Sequence, residues 1–521
     1  MKYYWYIALI LLITACTAQT DETTTDMKEA APYAEAHRLQ LHFSPPANWM
    51  NAPNGMVYHE GEYHLFYQYY PDSTIWGPMH WGHAVSRDLV HWEHLPVALY
   101  PDSLGYIFSG SAVADGGNTS GFGTGEDPAL VAIYTYHDPE GADAGRTDYQ
   151  TQGLAYSTDD GRTWTKYEGN PVLPNPGIAD FRDPKVIWHE EGQQWIMALA
   201  VKDHIRFYSS PDLKAWTEES SFGKDLGAHG GVWECPDLFL LDGRWVLLVS
   251  INPGGPNGGS ATQYFIGDFD GSTFTPQDDR TRWIDYGRDN YAGVTWSNVP
   301  DRDGRRIFMS WMSNWDYGQE VPTHPWRSAM TLPRKLGVLP TPDGDILTSV
   351  PVSELAALRQ QAVSVTVEKN GLLKDAKDSL YNLELEISNG GNEMPDFALH
   401  LTNSLEDTLK IGFDAEAEAF YIDRDGAGKT AFSEKFTGRQ TAPFSPGRKM
   451  INMSLIIDNG SVEVFLNGGE VVMTSLFFTE EPLHTVQFES DPAGRILAYG
   501  RWFPLKGIWT DAQVAEEEAQ P

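Results

Sequence analysis

The sequence predicts an all-β protein: a five-bladed β-propeller followed by a C-terminal β-sandwich. Three observations carry this. The composition is rich in aromatics and turn formers, with 18 Trp, 24 Tyr, 23 Phe, 49 Gly and 33 Pro in 521 residues, and only 21% is charged. That profile suits many short strands and excludes a helical bundle or a disordered chain. A turn motif recurs through the first two thirds of the chain. Strict apolar–polar alternation follows in the last third.

The recurring motif is an Asp/Ser turn followed by an aromatic. It appears as Ser86-Arg87-Asp88-Leu89 before Trp92, Ser157-Thr158-Asp159-Asp160-Gly161 before Trp164, Ser210-Pro211-Asp212-Leu213 before Trp216, and Asp268-Phe269-Asp270-Gly271 before Phe274. Asp and Ser side chains fold such turns by hydrogen-bonding the backbone, and the aromatic plugs the core. A spacing of roughly 50–70 residues fits about five blades. These are assigned to residues 38–350. Ser353-Glu354-Leu355-Ala356-Ala357-Leu358-Arg359-Gln360-Gln361 reads as a linker helix over 351–361, with Ser353 as its cap. Beyond it, runs such as Leu383-Glu384-Leu385-Glu386-Ile387 and Val462-Glu463-Val464-Phe465-Leu466 alternate between Gly-rich turns, which predicts a sandwich over 362–508. Residues 509–521 read as an acidic tail.

The N-terminus reads as an address. Lys2 precedes an apolar stretch too short to span a bilayer comfortably, ending Ile13-Thr14-Ala15-Cys16. That ending resembles a bacterial lipobox, which implies cleavage before Cys16, lipidation of its thiol and an extracytoplasmic, membrane-anchored protein. Residues 17–37 then read as a flexible tether. With Cys16 so used, Cys235 is the other cysteine, and no intrachain disulfide can form. The 72 acidic residues against 37 Lys and Arg give a net charge of −35, which repels phosphate backbones and excludes a nucleic-acid partner. Nothing in the sequence fixes an oligomeric state.

Three turn segments carry candidate chemistry: Asn48-Trp49-Met50-Asn51-Ala52-Pro53-Asn54-Gly55, Asp180-Phe181-Arg182-Asp183-Pro184, and Trp233-Glu234-Cys235-Pro236-Asp237. Acids among aromatics suit sugar hydrolysis, because an apolar wall raises a carboxyl pKa and aromatic faces stack on sugar rings. His83, His91 and His94 are not spaced like metal ligands, and neither a metal nor a cofactor is called for. Cys235 reads as a small packed residue. Gly254-Gly255-Pro256-Asn257-Gly258-Gly259 reads as a mobile loop bordering the pocket.

With Tyr63-His64-Leu65-Phe66-Tyr67-Gln68-Tyr69, Ile107-Phe108-Ser109-Gly110-Ser111 and Asp289-Asn290-Tyr291-Ala292 in the same order, the chain over about 38–508 resembles glycoside hydrolase family 32, the invertases, levanases, inulinases and related fructan hydrolases. The resemblance implies a propeller with an axial pocket, then a sandwich. It implies Glu234 as general acid/base, Asp183 as stabiliser of an oxocarbenium-like transition state, and Arg182 holding both in their charge states. Asn51, Gln68, Trp76, Phe108 and Ser109 would line the fructosyl subsite, with Tyr291 and Trp315 at its rim. The substrate would be a fructan or a fructose-containing oligosaccharide. One position departs. The family's covalent nucleophile, an Asp or Glu between the Asn and Pro of the first motif, is replaced by Ala52. Losing such a group costs on the order of 10⁴-fold in turnover. The resemblance therefore implies an impaired fructan hydrolase. The alternatives are a fructan-binding surface lipoprotein without useful turnover, a slow hydrolase using another acid such as Asp180 as base, and a fructosyltransferase.

Overall fold

The computed structural model describes residues 33–123, 128–300, 302–376, 378–445, 447–491 and 495–509. The N-terminal apolar stretch read as a signal segment, and Cys16, lie outside the described residues.

Five antiparallel sheets precede residue 351. Each begins with its innermost strand: Asn48–His59, Tyr106–Asp115, Phe181–His189, Val232–Leu241 and Tyr291–Thr295. These five strands touch in cyclic order, and the last meets the first, so the sheets close a ring. Closure is reinforced across the seam. Trp326–Arg327 pairs in parallel with Asn48 and Trp49, and Tyr58 N–H donates to the Ser297 carbonyl. The ring leaves each sheet only a short outer edge, which is how a propeller avoids edge-to-edge pairing.

The Asp/Ser turns all occupy one place, the hairpin between the third and fourth strands of a blade. Asp88 accepts the N–H groups of Val90 and His91, Asp159 that of Thr163, Asp212 those of Lys214 and Ala215, and Asp270 those of Ser272 and Thr273. Trp92 and Phe274 are buried behind their turns, and the indoles of Trp164 and Trp216 reach back to the carbonyls of Gly161 and Leu213. Blade five turns instead on Thr341 and Gly344, so its sequence lacks the motif.

Two six-stranded sheets form the sandwich. Inward positions such as Leu383, Leu385, Ile387, Val462, Val464 and Leu466 fill one apolar core. Its edge strand Val471–Leu476 is not left bare. Tyr286 N–H and Asp289 N–H from blade five donate to the carbonyls of Val472 and Thr474, and Asp285 and Asp289 accept the N–H groups of Thr474 and Leu476.

Three boundaries differ from the sequence reading. The residues joining propeller to sandwich form a 3-10 turn, Ser353–Leu358, and Ser353 does not cap it. Its hydroxyl bonds Glu354, which pairs with Arg305. The tether does not reach residue 37: Tyr33 is buried, its ring stacks 3.9 Å from Trp509, and its hydroxyl bonds His94. For the same reason the tail does not begin at 509. Trp509 is clamped by Tyr33 and donates its indole N–H to the Leu39 carbonyl.

Charge is buried between the domains in matched pairs. Arg334 pairs with Glu463 at 2.5 Å and Asp285 at 2.9 Å. His42 bridges Asp458 at 2.7 Å and Glu463 at 3.0 Å. Burial opposes a charge on His42, but the bonds to the two carboxylates prevail and raise its pKa to about 9. A folded pKa above the unfolded value means the stabilisation is complete below about 6.5 and is lost as pH rises through about 9. A shift of that size is worth on the order of 3 kcal/mol. The melting temperature should therefore fall between pH 6.5 and 9. His42→Gln should be less stable at pH 6.5 and show a flatter decline, as thermal unfolding across that range will test.

Candidate active site

Every inner strand is interrupted at the same height. Pairing with the second strand skips between Met50 and Pro53, Ile107 and Gly110, Arg182 and Lys185, Glu234 and Asp237, and Tyr291 and Val294. Two residues then oppose one, the mark of a β-bulge, which re-aims side chains. Proline or glycine stands at each interruption: Pro53, Gly110, Pro184, Pro236 and Gly293. Proline has no N–H for the ladder. Glycine is needed at position 110, where a Cβ would lie 2.0 Å from the Ile133 carbonyl oxygen. Asp183, Cys235 and Ala292 take positive φ at their bulges. The five triads are Asn51-Ala52-Pro53, Phe108-Ser109-Gly110, Arg182-Asp183-Pro184, Glu234-Cys235-Pro236 and Tyr291-Ala292-Gly293.

The first two residues of each triad floor a cavity of about 410 Å³ on the propeller axis. Asn51, Ala52, Gln68, Phe108 and Ser109 line one side, with Trp76 above them. Arg182, Asp183, Glu234 and Tyr291 line the other, with Trp315 at the rim. All the site residues singled out in the propeller sequence thus face one cup. A larger cleft of about 620 Å³ lies between the domains. None of those residues lines it, and of its two carboxylates Glu384 is paired with Arg359 and Arg501 and Glu386 accepts the Tyr499 hydroxyl.

Arg182 organises the charge. Its guanidinium reaches Asp180 at 2.5 Å and Glu234 at 2.9 Å, and passes 3.9 Å from Asp183. Tyr291 donates its hydroxyl to the second oxygen of Glu234. Asp183 is buried and takes the Cys235 backbone N–H at 3.0 Å. Burial raises the Asp183 pKa to about 6, with Glu234 adding to the shift and Arg182 opposing it. Burial, then the Asp183 charge, pushes the Cys235 thiol well up, so that side chain is a neutral packing group. Ala52 presents a methyl where its triad partner in blade three presents the Asp183 carboxylate.

The walls rise from connections between second and third strands. Residues 71–79 bring Trp76, whose backbone N–H donates to Gln319 from 313–333. Residues 138–149 bring Tyr149 beside His137 and Gln150. These last three and Gln319 went unread in the sequence, since they belong to no motif; the length of their connections was the available signal. The Gly254–Gly259 loop does not line the cavity. Asn257 ties it to Tyr286 and to Thr441 of the sandwich. His83, His91 and His94 diverge, bonding His64, Asp88 and Tyr33 respectively.

A deep axial cup with paired acids, a guanidinium between them and aromatic walls defines a glycoside hydrolase. Residues 42–351 match the glycosyl hydrolases family 32 N-terminal domain, and 354–497 match the family 32 C terminal. The chain is 46% identical to the levanase of Bacillus subtilis over 93% of its own length and 73% of that protein's. It is 40% identical to the extracellular exo-inulinase inuE of Aspergillus niger, covering 86% and 90%. The crystal structure of exo-inulinase from Aspergillus awamori superposes with a TM-score of 0.83 at 34% identity, covering 92% of this chain and 100% of that one. The chain belongs to glycoside hydrolase family 32 and is of the β-fructofuranosidase type.

Beneath the cup, Lys185 is buried against Asp237 at 2.9 Å and donates to the Thr295 carbonyl, and Asp237 accepts the Thr295 N–H. Lys185→Met would strand a buried carboxylate and should cost about 3–5 kcal/mol. Adding Asp237→Asn keeps an acceptor for Thr295 without the charge. The double variant should melt above the single one, and equal melting temperatures would show that the pair carries no such cost.

Proposed function

We propose that this protein engages levan- or inulin-type fructans and sucrose through a terminal fructosyl unit, and that it cleaves them slowly because Ala52 supplies no nucleophile. The observation that carries this is the cup itself, with Glu234 and Asp183 about one guanidinium and Ala52 on the same floor. Asn51, Gln68, Trp76, Phe108 and Ser109 would seat the fructosyl ring. Asp183 would take its hydroxyls and offset positive charge developing at the anomeric carbon. Glu234 would hand a proton to the departing oxygen and later take one from water. Arg182 and Tyr291, both bonded to Glu234, would set its orientation. The levanase and exo-inulinase names of the relatives support the choice of fructan.

The retaining reaction of such a site needs a second carboxylate near the acid. A methyl at position 52 cannot bond to an anomeric carbon, so water must attack directly. Recognition is untouched by this loss, which makes capture the function that the remaining residues support best. Ala52→Asp should raise fructose release from levan, inulin and sucrose by on the order of 10⁴-fold. Equal release from both forms, measured side by side, would mean that position 52 is not the nucleophile's.

We also infer that the protein is anchored outside the cytoplasm through a lipid on Cys16, from the Lys2 start, the apolar run and the Thr14-Ala15-Cys16 ending. A polymeric substrate must be met outside the cell. Labelled fatty acid should enter the expressed protein and be absent from Cys16→Ser; incorporation into both would refute the anchor.

A further inference from the structure

The fructosyl subsite accounts for the floor of the cup but not for one of its walls. On the side shared by blades two and three stand His137, Tyr149 and Asp180. We propose that these three residues form the subsite for the sugar that leaves, and that this sugar is uncharged. The proposal rests on the fructoside reading above and adds what lies beyond the scissile bond.

Position comes first. The leaving sugar must sit against the group that protonates its oxygen. Asp180 and Glu234 are held on the same guanidinium, through Nη1 and Nη2 of Arg182. The wall is therefore one side chain away from the proton donor, whereas neither Trp76 nor Gln319 bonds to Arg182 or Glu234 among the described residues.

Its hydrogen-bonding pattern can be read atom by atom. Gln150 Oε1 accepts the Phe181 N–H at 2.8 Å, which fixes the amide orientation. Gln150 Nε2 is then the donor to His137 Nδ1 at 3.3 Å. A neutral ring that accepts at Nδ1 carries its proton on Nε2. Burial, then the nearby Arg182, holds the His137 pKa down to about 4, so the ring is neutral at ordinary pH. It stacks on Phe108 at 4.3 Å and 7°, and Tyr149 packs edge-on at 5.4 Å. Asp180 uses Oδ1 for Arg182 and for the Tyr149 hydroxyl, which in turn accepts the Asp180 N–H, and its side chain is 30% exposed. Its Oδ2 meets no donor among the described residues. The wall thus offers one N–H donor, one open carboxylate oxygen and aromatic edges, which is the pattern a hydroxylated ring requires.

Charge selects among such rings. Arg182 is the one Lys or Arg among the described residues lining the cavity, and three carboxylates surround it. A phosphate on the leaving sugar would face Asp180 with no cation left to receive it.

The test is calorimetric titration of the full chain with fructose, inulotriose, sucrose and sucrose 6-phosphate, the last carrying its phosphate on the leaving glucose. Sucrose 6-phosphate should bind at least about 100-fold more weakly than sucrose. Asp180→Asn keeps the bond to Arg182 and tolerates the positive φ, but turns the open oxygen into a donor. It should weaken inulotriose about tenfold while leaving fructose within about twofold, and should narrow the gap to sucrose 6-phosphate. His137→Phe keeps the stack and removes the donor, and should act on inulotriose in the same selective way should Asp180→Asn not fold. Equal weakening of fructose and inulotriose, or equal binding of sucrose and its phosphate, would overturn the subsite. If fructose binds and inulotriose binds no tighter, the subsite alone falls. If none of the four binds, the fructoside reading falls with it.

Discussion

One constraint shapes the whole site: five inner strands must stop pairing at the same height so that their side chains can serve the axis. A regular ladder would turn alternate residues into the gaps between blades, where they would be core. The bulge frees two residues per strand, and a proline or glycine holds it open. Where the strands crowd the axis, the middle residue of each triad is small: Ala52, Ser109, Cys235 and Ala292, with Asp183 the exception. A buried carboxylate is tolerable there because a backbone N–H of the neighbouring blade points at it and Arg182 stands 3.9 Å away. The residue before it in each triad is the larger one that equips the cup. Chemistry and packing are divided between adjacent positions of one repeated motif.

The sandwich contributes no residue to the cup, yet it is coupled to it. Asp285 and Asp289 are buried and held by Thr474, Leu476, Arg334 and Arg424. Two residues after Asp289 comes Tyr291, which bonds Glu234. The start of the blade-five strand is thereby fixed from outside the ring. In the same contacts the sandwich gains cover for its edge strand. Buried ion pairs are weak sources of net stability but strict about geometry. Here the strictness falls on an inner strand whose bulge, like that of blade two, has neither proline nor a charged residue to define it.

The sequence showed the blades through their Asp/Ser turns, because such turns are local: one side chain and the next few N–H groups suffice. Blade five, which turns on Thr341, was counted only by spacing. The triads were visible as motifs in blades one, three and four, but not as a fivefold repeat, since Phe108-Ser109-Gly110 and Tyr291-Ala292-Gly293 share no residue with Glu234-Cys235-Pro236. What they share is a backbone event. The N-terminal residues 33–37 look polar and unpatterned, yet Tyr33 finds Trp509 across the whole chain length, a contact without local trace. The same holds for Asn257 and Thr441. His137 and Tyr149 sit at the two ends of a connection, and only the fold brings them together.

Ala52 can be weighed against this background. The cup holds three carboxylates and one guanidinium, and each charge has a partner already in place. A methyl at the bulge of blade one disturbs none of these pairs, and it suits the small-residue rule of that position. The fold therefore does not need a carboxylate there; the proposed covalent chemistry would. On the proposed reading, recognition would draw on a different set of atoms: the Asp183 carboxylate, the Gln68 amide, the aromatic walls and the His137–Asp180 side. On the same reading, a cup whose charges are already paired, and whose position 52 carries a methyl in place of a nucleophile, would keep its affinity while losing its rate. That separation would follow from the bulge, which turns two adjacent residues of each blade to the cup, so that one can change while its neighbour keeps its contacts.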